Sequence, residues 1–178
     1  HNAELLNSLD ADEILVTCPG CFKALTKDYS DFGIELNKPV IHLSEFLERQ
    51  VESLPSMDFE NEITYHDPCH LGRHSKIYDA PRSVIETVTG REIVEMIQSR
   101  EDAMCCGNGA GLRTLYPDYA HKIGSERIHQ AKDTGAGILV STCPFCKNML
   151  KDEAQGELEV LDLSELVELA RSRELKSE

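Results

Sequence analysis

The sequence predicts an α/β protein made of duplicated three-layer units, each with a parallel sheet between helices. Short β-rich apolar runs alternate with helical segments, and this order favours parallel strands joined by helical crossovers. The chain also repeats itself. Residues 14–17 lead into a Cys-Pro-Gly-Cys run at 18–21, and residues 139–142 lead into a Cys-Pro-Phe-Cys run at 143–146. Self-similarity of this kind indicates duplicated architecture.

The first predicted unit covers residues 1–53. Apolar residues at helical spacing predict helices over 3–9 and 21–31, and runs rich in Ile, Leu and Val predict strands at 13–17 and 39–43. Ser44 can cap a further helix over 44–53. A Leu-Pro-Ser-Met-Asp segment at 54–58 then predicts a linker, which we extend over 54–61.

The second predicted unit covers residues 62–178. Pro81 suits the first turn of a helix, and Gly135 and Gly137 end a long one. Residues 160–168 repeat the pattern of residues 40–48, a short apolar strand followed by a serine, here Ser164, that can cap the next helix. The predicted strands are 62–66, 92–96, 138–142 and 158–161, and the predicted helices are 81–89, 117–133, 146–154 and 164–176.

Composition excludes several classes of partner. The 178 residues carry a formal net charge of −14, which argues against binding to nucleic acid or to an anionic lipid surface. No run of 18 apolar residues is present, so we expect no membrane insertion. The chain also opens without a secretory pattern, and we therefore expect a cytoplasmic location.

Cysteine is the most informative residue type. Seven cysteines without an export signal favour thiol or metal chemistry over a disulfide framework. Since the carboxyl ends of parallel strands meet at one sheet edge, we expect five of the thiols to converge there. Glycines at 107, 109 and 111 let the backbone wrap closely around a bulky group. The five cysteines are Cys69, Cys105, Cys106, Cys143 and Cys146.

The thiol chemistry leaves more than one occupant open. Zinc needs four ligands in a closed tetrahedron, whereas an iron–sulfur cluster can use more thiolates, so five cysteines favour iron–sulfur over zinc. The two Cys-x-x-Cys pairs could instead form a zinc site, but 121 residues separate them. The Cys18–Cys21 pair alone also fits a thioredoxin-type redox motif.

The cysteine pattern resembles the cysteine-rich CCG domain. The similarity lies in Cys69, the adjacent Cys105-Cys106 followed by Gly107, and the Cys-x-x-Cys pair at 143–146, together with a Tyr-His-Asp-Pro-Cys-His-Leu-Gly-Arg phrase at 65–73 and a Tyr-Asp-Ala-Pro-Arg phrase at 78–82. The domain is duplicated in the catalytic subunits of heterodisulfide reductases and occurs in iron–sulfur subunits of glycolate, lactate and glycerol-3-phosphate oxidoreductases. The resemblance implies a non-cubane [4Fe-4S] cluster on the five cysteines, through which they act catalytically on a disulfide.

The repeat also departs from that family. Its offset of 125 residues puts the counterparts of Cys69 and Cys105 before residue 1, so the first repeat keeps only Cys18 and Cys21. We therefore expect an incomplete second site, in a C-terminal portion of a longer or split subunit that is inactive alone. Expected partners are an electron-donating iron–sulfur, flavin or cytochrome subunit, and either the missing half of the first repeat or a homodimer mate.

Three sets of functional assignments follow. We expect Gly107 and His66 to lie beside the cofactor, His66 as a hydrogen-bonding neighbour of the thiolates. The function expected is reduction of a thiol-coenzyme disulfide. An electron relay in a 2-hydroxy-acid or glycerol-3-phosphate oxidoreductase and a non-catalytic zinc domain are the alternatives. Cationic and aromatic side chains that could line an anionic coenzyme pocket are Arg73, Tyr78, Arg113 and Tyr116.

Overall fold

The first unit pairs two short parallel strands with helices. In the computed structural model the backbone is described for residues 1–177 and the side chains for residues 1–173, so Glu178, the last residue of the second predicted unit, lies outside the described residues. Strand β1 pairs with β2 in parallel. The elements are α1 (Asn2–Ser8), β1 (Ile14–Val16), α2 (Pro19–Lys23), a π turn (Ala24–Asp28), α3 (Tyr29–Asp31), β2 (Val40–His42), α4 (Leu43–Glu48) and a 3₁₀ turn (Val51–Ser53).

The second unit is built on a three-stranded parallel sheet in the order β3-β4-β5. Helix α5 ends at Gly90 in the left-handed conformation, and α7 begins with Pro117 at its first position. The elements are β3 (Ile63–His66), α5 (Asp79–Thr89), a 3₁₀ turn (Arg100–Asp102), α6 (Leu112–Leu115), α7 (Pro117–Asp133), β4 (Ile138–Ser141), α8 (Pro144–Ala154), β5 (Glu159–Asp162) and α9 (Leu163–Ser177).

Helices cover both faces of this sheet, which confirms the predicted three-layer α/β architecture. Ile63, Tyr65 and Val140 point to one face and pack with buried residues of α5 and α9. Leu139 and Val160 point to the other face and pack with α7 and α8. Because neighbouring residues on a strand point to opposite faces, His66 lies on the face opposite Tyr65.

The strand predicted at 92–96 is wrong. The segment runs beside β3 but makes a single backbone hydrogen bond to it, from Val94 N–H to the Ile63 carbonyl at 2.9 Å. Next to it, the Glu95 carboxylate pairs with the buried guanidinium of Arg82 at 2.5 Å. This side-chain contact holds the segment near the sheet. Its apolar residues therefore do not form a strand with a ladder of backbone hydrogen bonds to β3. Helix α6 was not predicted.

The two units pack against each other through α4, which contacts α5, and through the His42 ring. His42 is buried at the end of β2, and its Nδ1 accepts a hydrogen bond from Ser44 N–H, which caps α4. The backbone of Thr17 after β1 and of Thr142 after β4 lies beside the ring, whose Nε2 has no hydrogen-bond partner among the residues that the structure describes. His42 therefore lies where the carboxyl ends of the two sheets meet.

We expect the His42 ring to make folding sensitive to acid. Burial lowers its pKa from 6.5 to about 4, so the unfolded chain takes up the proton first as the pH falls. The free energy of unfolding is therefore highest above pH 6.5 and decreases between pH 6.5 and about 4, by about 3 kcal/mol in total. Urea unfolding at several pH values measures this. His42→Asn, which keeps a capping acceptor, should give a shallower pH dependence, and an unchanged slope would contradict the assignment.

Among the described helices none combines the length and apolar character required to cross a lipid bilayer.

Candidate metal centre

Strand ends and helix starts position the cysteines. Cys69 lies in the turn after β3, and Cys143 is the N-cap of α8 directly after β4. Cys105 and Cys106 lie in the irregular connection that leads to α6, where adjacent side chains need not point to opposite faces. All of these thiols are free, and Cys106, Cys143 and Cys146 are buried.

The structure brings the five thiols together in one chain of neighbours. Hydrogen bonding with Cys105 raises the pKa of both Cys69 and Cys106, and bonding with Cys106 and Cys143 raises that of Cys146. The same contacts lower the pKa of Cys105, through Cys106 and Cys69, and of Cys143, through Cys146. The thiols therefore share protons along the order Cys69, Cys105, Cys106, Cys146, Cys143. A metal that displaced these protons would have five adjacent sulfur ligands available.

Backbone N–H groups point at the sulfurs of Cys105 and Cys143. The N–H of Gly107 donates to Cys105 Sγ at 3.4 Å. At the start of α8 the N–H groups of Phe145 and Cys146 lower the pKa of Cys143, after the larger effect of the Cys146 thiol. The N-terminus of a helix favours thiolate over thiol in this way.

The first cysteine pair lies at the same edge. Cys18 is the residue at the N-cap position of α2, and the Cys21 pKa is raised by burial and by the neighbouring Cys18 and Cys143 thiols. Gly20 faces the turn after Cys69, since a Cβ there would lie 3.3 Å from His70 Nδ1. All seven cysteines therefore meet where the two units join.

His66 lies behind the thiols on the α7–α8 face of the sheet. Its ring and the sulfurs of Cys106 and Cys146 form a buried group with ligand atoms within 4.8 Å of one another. Its Nδ1 accepts a hydrogen bond from Arg127 Nε at 3.0 Å, whereas its Nε2 has no partner in the described part of the chain. Burial and the nearby guanidinium lower the His66 pKa to about 3, so the ring is neutral.

Asp67 points away from the thiols and anchors their loops. Its carboxylate accepts two hydrogen bonds from Arg82, at 2.8 and 2.9 Å, and a third from the backbone N–H of Arg100 at 2.8 Å. Arg82 also pairs with Glu95. This network ties the end of β3 to the segment that leads into Cys105.

Gly107 is a position where only glycine fits. Its φ is +89°, and an added Cβ would lie 2.4 Å from the Ala120 carbonyl oxygen of α7. We expect Gly107→Ala to lower the free energy of unfolding by about 1–3 kcal/mol and to weaken metal retention, because the Cys105-Cys106 loop must move. Thermal unfolding and metal analysis measure both effects. Gly109→Ala is the matched control, since Gly109 faces open space, and equal effects in the two variants would contradict the expectation.

The four predicted pocket residues separate into two groups. The Arg73 guanidinium donates to the Ala103 carbonyl at 2.9 Å, and a Cβ on Gly72 would meet the Tyr78 ring, so both belong to the turn after Cys69. Arg113 pairs with Asp152 of α8 at 2.5 Å, and Tyr116 contacts Tyr119 edge to face. The second pair therefore belongs to the surface around α6 and α7.

Sequence reasoning missed Arg127, which is fully buried on α7. A signal was available, because Arg127 follows Gly124 by three residues and precedes Ala131 by four, and both of these are buried on the same helix. A cation on the buried stripe of a helix indicates a specific partner. The basic side chains around His74 are Lys23, Lys27, His70 and Arg73. Arg73 was among the predicted pocket residues, whereas the two lysines were missed.

Comparison with known proteins places this geometry in a family. The model of the cysteine-rich domain, CCG, matches residues 63–151, from β3 into α8, and the match includes all five adjacent thiols. The chain belongs to the cysteine-rich domain family. The domain-family assignment agrees with the resemblance drawn from the cysteine spacing.

Relatives of this cysteine-rich chain are redox proteins. It is 40% identical over 174 residues to a subunit of the dihydromethanophenazine:CoB–CoM heterodisulfide reductase of Methanosarcina barkeri, covering 94% of this chain and 42% of the relative. It is 33% identical to a subunit of the fumarate reductase (CoM/CoB) of Methanothermobacter marburgensis, covering 90% and 33%. It is 34% identical to the probable iron-sulfur-binding oxidoreductase FadF of Bacillus subtilis, covering 89% and 23%. The chain thus spans less than half the length of these relatives.

Proposed function

We propose that this chain is the iron–sulfur module of a heterodisulfide-reductase-like oxidoreductase. In this proposal Cys69, Cys105, Cys106, Cys143 and Cys146 hold a non-cubane [4Fe-4S] cluster, and the substrate is a disulfide of thiol coenzymes. The observation that carries it is the unbroken chain of five thiols, supported by relatives whose names include heterodisulfide reductase and iron-sulfur-binding oxidoreductase. Cys18 and Cys21 are proposed to belong to a second, incomplete site.

The donor set fits such a cluster better than a single zinc ion. A tetrahedral zinc site is complete with four ligands, and the second of two adjacent cysteines adds little to it. Iron–sulfur clusters are held by thiolates, and a larger cluster uses more of them. The His66 ring lies beside Cys106 and Cys146, and its Nε2, which has no partner among the described residues, suits a group whose sulfurs accept hydrogen bonds.

The chemistry that a bound cluster would supply is the delivery of single electrons to a sulfur–sulfur bond. The chain's own residues would bind and orient the substrate. Cys69 is only partly buried, so the crevice opens on its side, next to the basic side chains around His74. These cationic groups, on a chain with a net charge of −14, would attract an anionic thiol coenzyme.

Metal analysis of anaerobically prepared protein tests the proposal. We expect about four irons with matching acid-labile sulfide per chain. A single zinc without sulfide would overturn the proposal and favour the non-catalytic zinc domain.

An electron relay is the second candidate, because the relatives also include the fumarate reductase (CoM/CoB) protein and FadF. In that case the substrate would be reduced or oxidised on a flavin-bearing partner. The two candidates differ in what re-oxidises the reduced protein. Rapid re-oxidation by an anionic heterodisulfide supports the disulfide reductase, and re-oxidation only by flavin or quinone acceptors supports the relay.

Partner subunits are part of the proposal. The electron donor would be an iron–sulfur, flavin or cytochrome subunit, and a further protein surface or a second copy would cover the first unit. Large apolar side chains are exposed there, namely Leu5, Leu9, Leu15, Phe32 and Ile34. We expect light scattering to show a dimer or aggregation at high concentration, because exposed apolar side chains favour association. A clean monomer would contradict this expectation.

A further inference from the structure

The imidazole of His66 makes a hydrogen bond on one side only. It is 1% exposed, its Nδ1 accepts from Arg127 Nε at 3.0 Å, and its Nε2 has no partner among the described residues. A buried ring nitrogen without a partner is costly, so Nε2 is expected to serve a group at the thiol site. One ring nitrogen of His66 and the sulfurs of Cys106 and Cys146 lie within 4.8 Å of one another, so these sulfurs are the candidate acceptors.

The Arg127 contact decides which ring nitrogen carries the proton. A guanidinium has donors only, so Nδ1 must offer its lone pair, and the proton of a neutral ring is then on Nε2. A protonated nitrogen cannot bind a metal, but it can donate to a thiolate. The group formed by His66, Cys106 and Cys146 is therefore two sulfurs and one hydrogen-bond donor, and not three metal ligands.

Arg127 is itself a buried charge that lacks a counter-ion of its own. It is fully buried, and its Nη1 donates to the Gln98 carbonyl and to Gln130 Oε1, both at 2.7 Å. Its Nη2 is unpartnered, and none of the ion pairs formed by the described side chains includes it. A buried cation requires nearby negative charge. Asp67 and Glu95 provide the larger part of it, although both are paired with Arg82, and thiolates at Cys146 and Cys106 would add to it.

We propose that Arg127 and His66 act as a positioning pair, in which Arg127 keeps the proton on His66 Nε2 and His66 donates it to the thiolates of Cys106 and Cys146. The pair stabilises negative charge on these sulfurs and so raises the reduction potential of the metal group bound to them. The inference rests on the proposed function for its effect on the potential, but the tautomer of His66 depends on the protein alone.

Nitrogen-15 NMR of the imidazole rings tests the tautomer without any cluster. In metal-free or zinc-loaded protein we expect His66 to be neutral with its proton on Nε2, its signal being assigned by its loss in His66→Gln. Arg127→Met should give a mixture of tautomers, and Arg127→Lys should restore the wild-type state. A proton on Nδ1 in the wild-type protein would overturn the proposal.

Redox titration of the iron-loaded protein tests the effect on the potential. His66→Met removes the donor, and we expect a more negative midpoint potential with unchanged iron content. His66→Gln places an amide donor near the position of Nε2 and should restore the potential. An unshifted potential in His66→Met, or loss of iron in both variants as expected for a metal ligand, would overturn the proposal. Failure of the wild-type protein to bind iron would instead overturn the proposed function and leave the NMR result decisive for the pair.

Discussion

Replacing Cys106 by serine is expected to abolish iron retention. Cys106 lies in the middle of the thiol chain, next to both Cys105 and Cys146, so its loss divides the donor set. Serine is a hard, weakly acidic oxygen ligand and would not replace a thiolate in holding iron. Iron and sulfide analysis, with the visible absorption of the anaerobic protein, measures the loss, and Cys105→Ser should behave in the same way.

The fold is expected to persist in these variants. The packing between the sheet and the α5–α9 layer contains no cysteine, and a core of this size does not depend on metal for its burial. Circular dichroism checks this. Cys18→Ser is the matched control and should keep the iron, because Cys18 lies outside the five-thiol chain. Full iron in Cys106→Ser together with loss in Cys18→Ser would contradict the five-ligand assignment and favour a site made of the two Cys-x-x-Cys pairs.

Replacing Asp67 by asparagine is expected to give the largest loss of stability. Asp67 and Arg82 are 2% and 7% exposed, and removing one member of a buried ion pair leaves the other charge without its counter-ion. We expect the free energy of unfolding to fall by about 3 kcal/mol. This is near the low end for breaking a buried ion pair, because Glu95 still contacts Arg82. For a chain of this length the melting temperature should fall by roughly 6–12 °C.

The control for this prediction is a carboxylate on the surface. Asp58 is 90% exposed and pairs with Arg91 at 3.4 Å, so Asp58→Asn should change the free energy of unfolding by less than about 1 kcal/mol. Calorimetry of both variants compares them directly. Similar melting temperatures for Asp67→Asn and Asp58→Asn would show that the buried network does not stabilise the fold. Since Asp67 also binds the Arg100 backbone, we expect weaker iron retention in Asp67→Asn as well.

Local patterns in the sequence were sufficient for most elements. Helix α7 was predicted with its observed bounds, because Pro117 starts it and glycines follow its end. Strand β4 differed from its prediction by a single residue. The prediction of a strand at 92–96 was wrong because it depended on a short apolar run alone. Ile93 packs partly buried against the α5–α9 layer and Met96 is buried against α7 and α8, and a short apolar run alone does not distinguish such packing from a ladder.

The sequence by itself determined the parallel α/β architecture, the repeat and the candidate thiols, because alternation, capping residues and cysteine spacing are local features of the chain. Only the tertiary structure decided which side chains lie next to the thiols. Arg127 is 61 residues from His66, and their hydrogen bond exists because α7 packs on the face of the sheet to which His66 points. Likewise, Cys21 comes close to Cys143 only because the two units join at their strand ends. Contacts of this kind depend on how helices pack across the sheet, which the periodicity of a single segment does not encode.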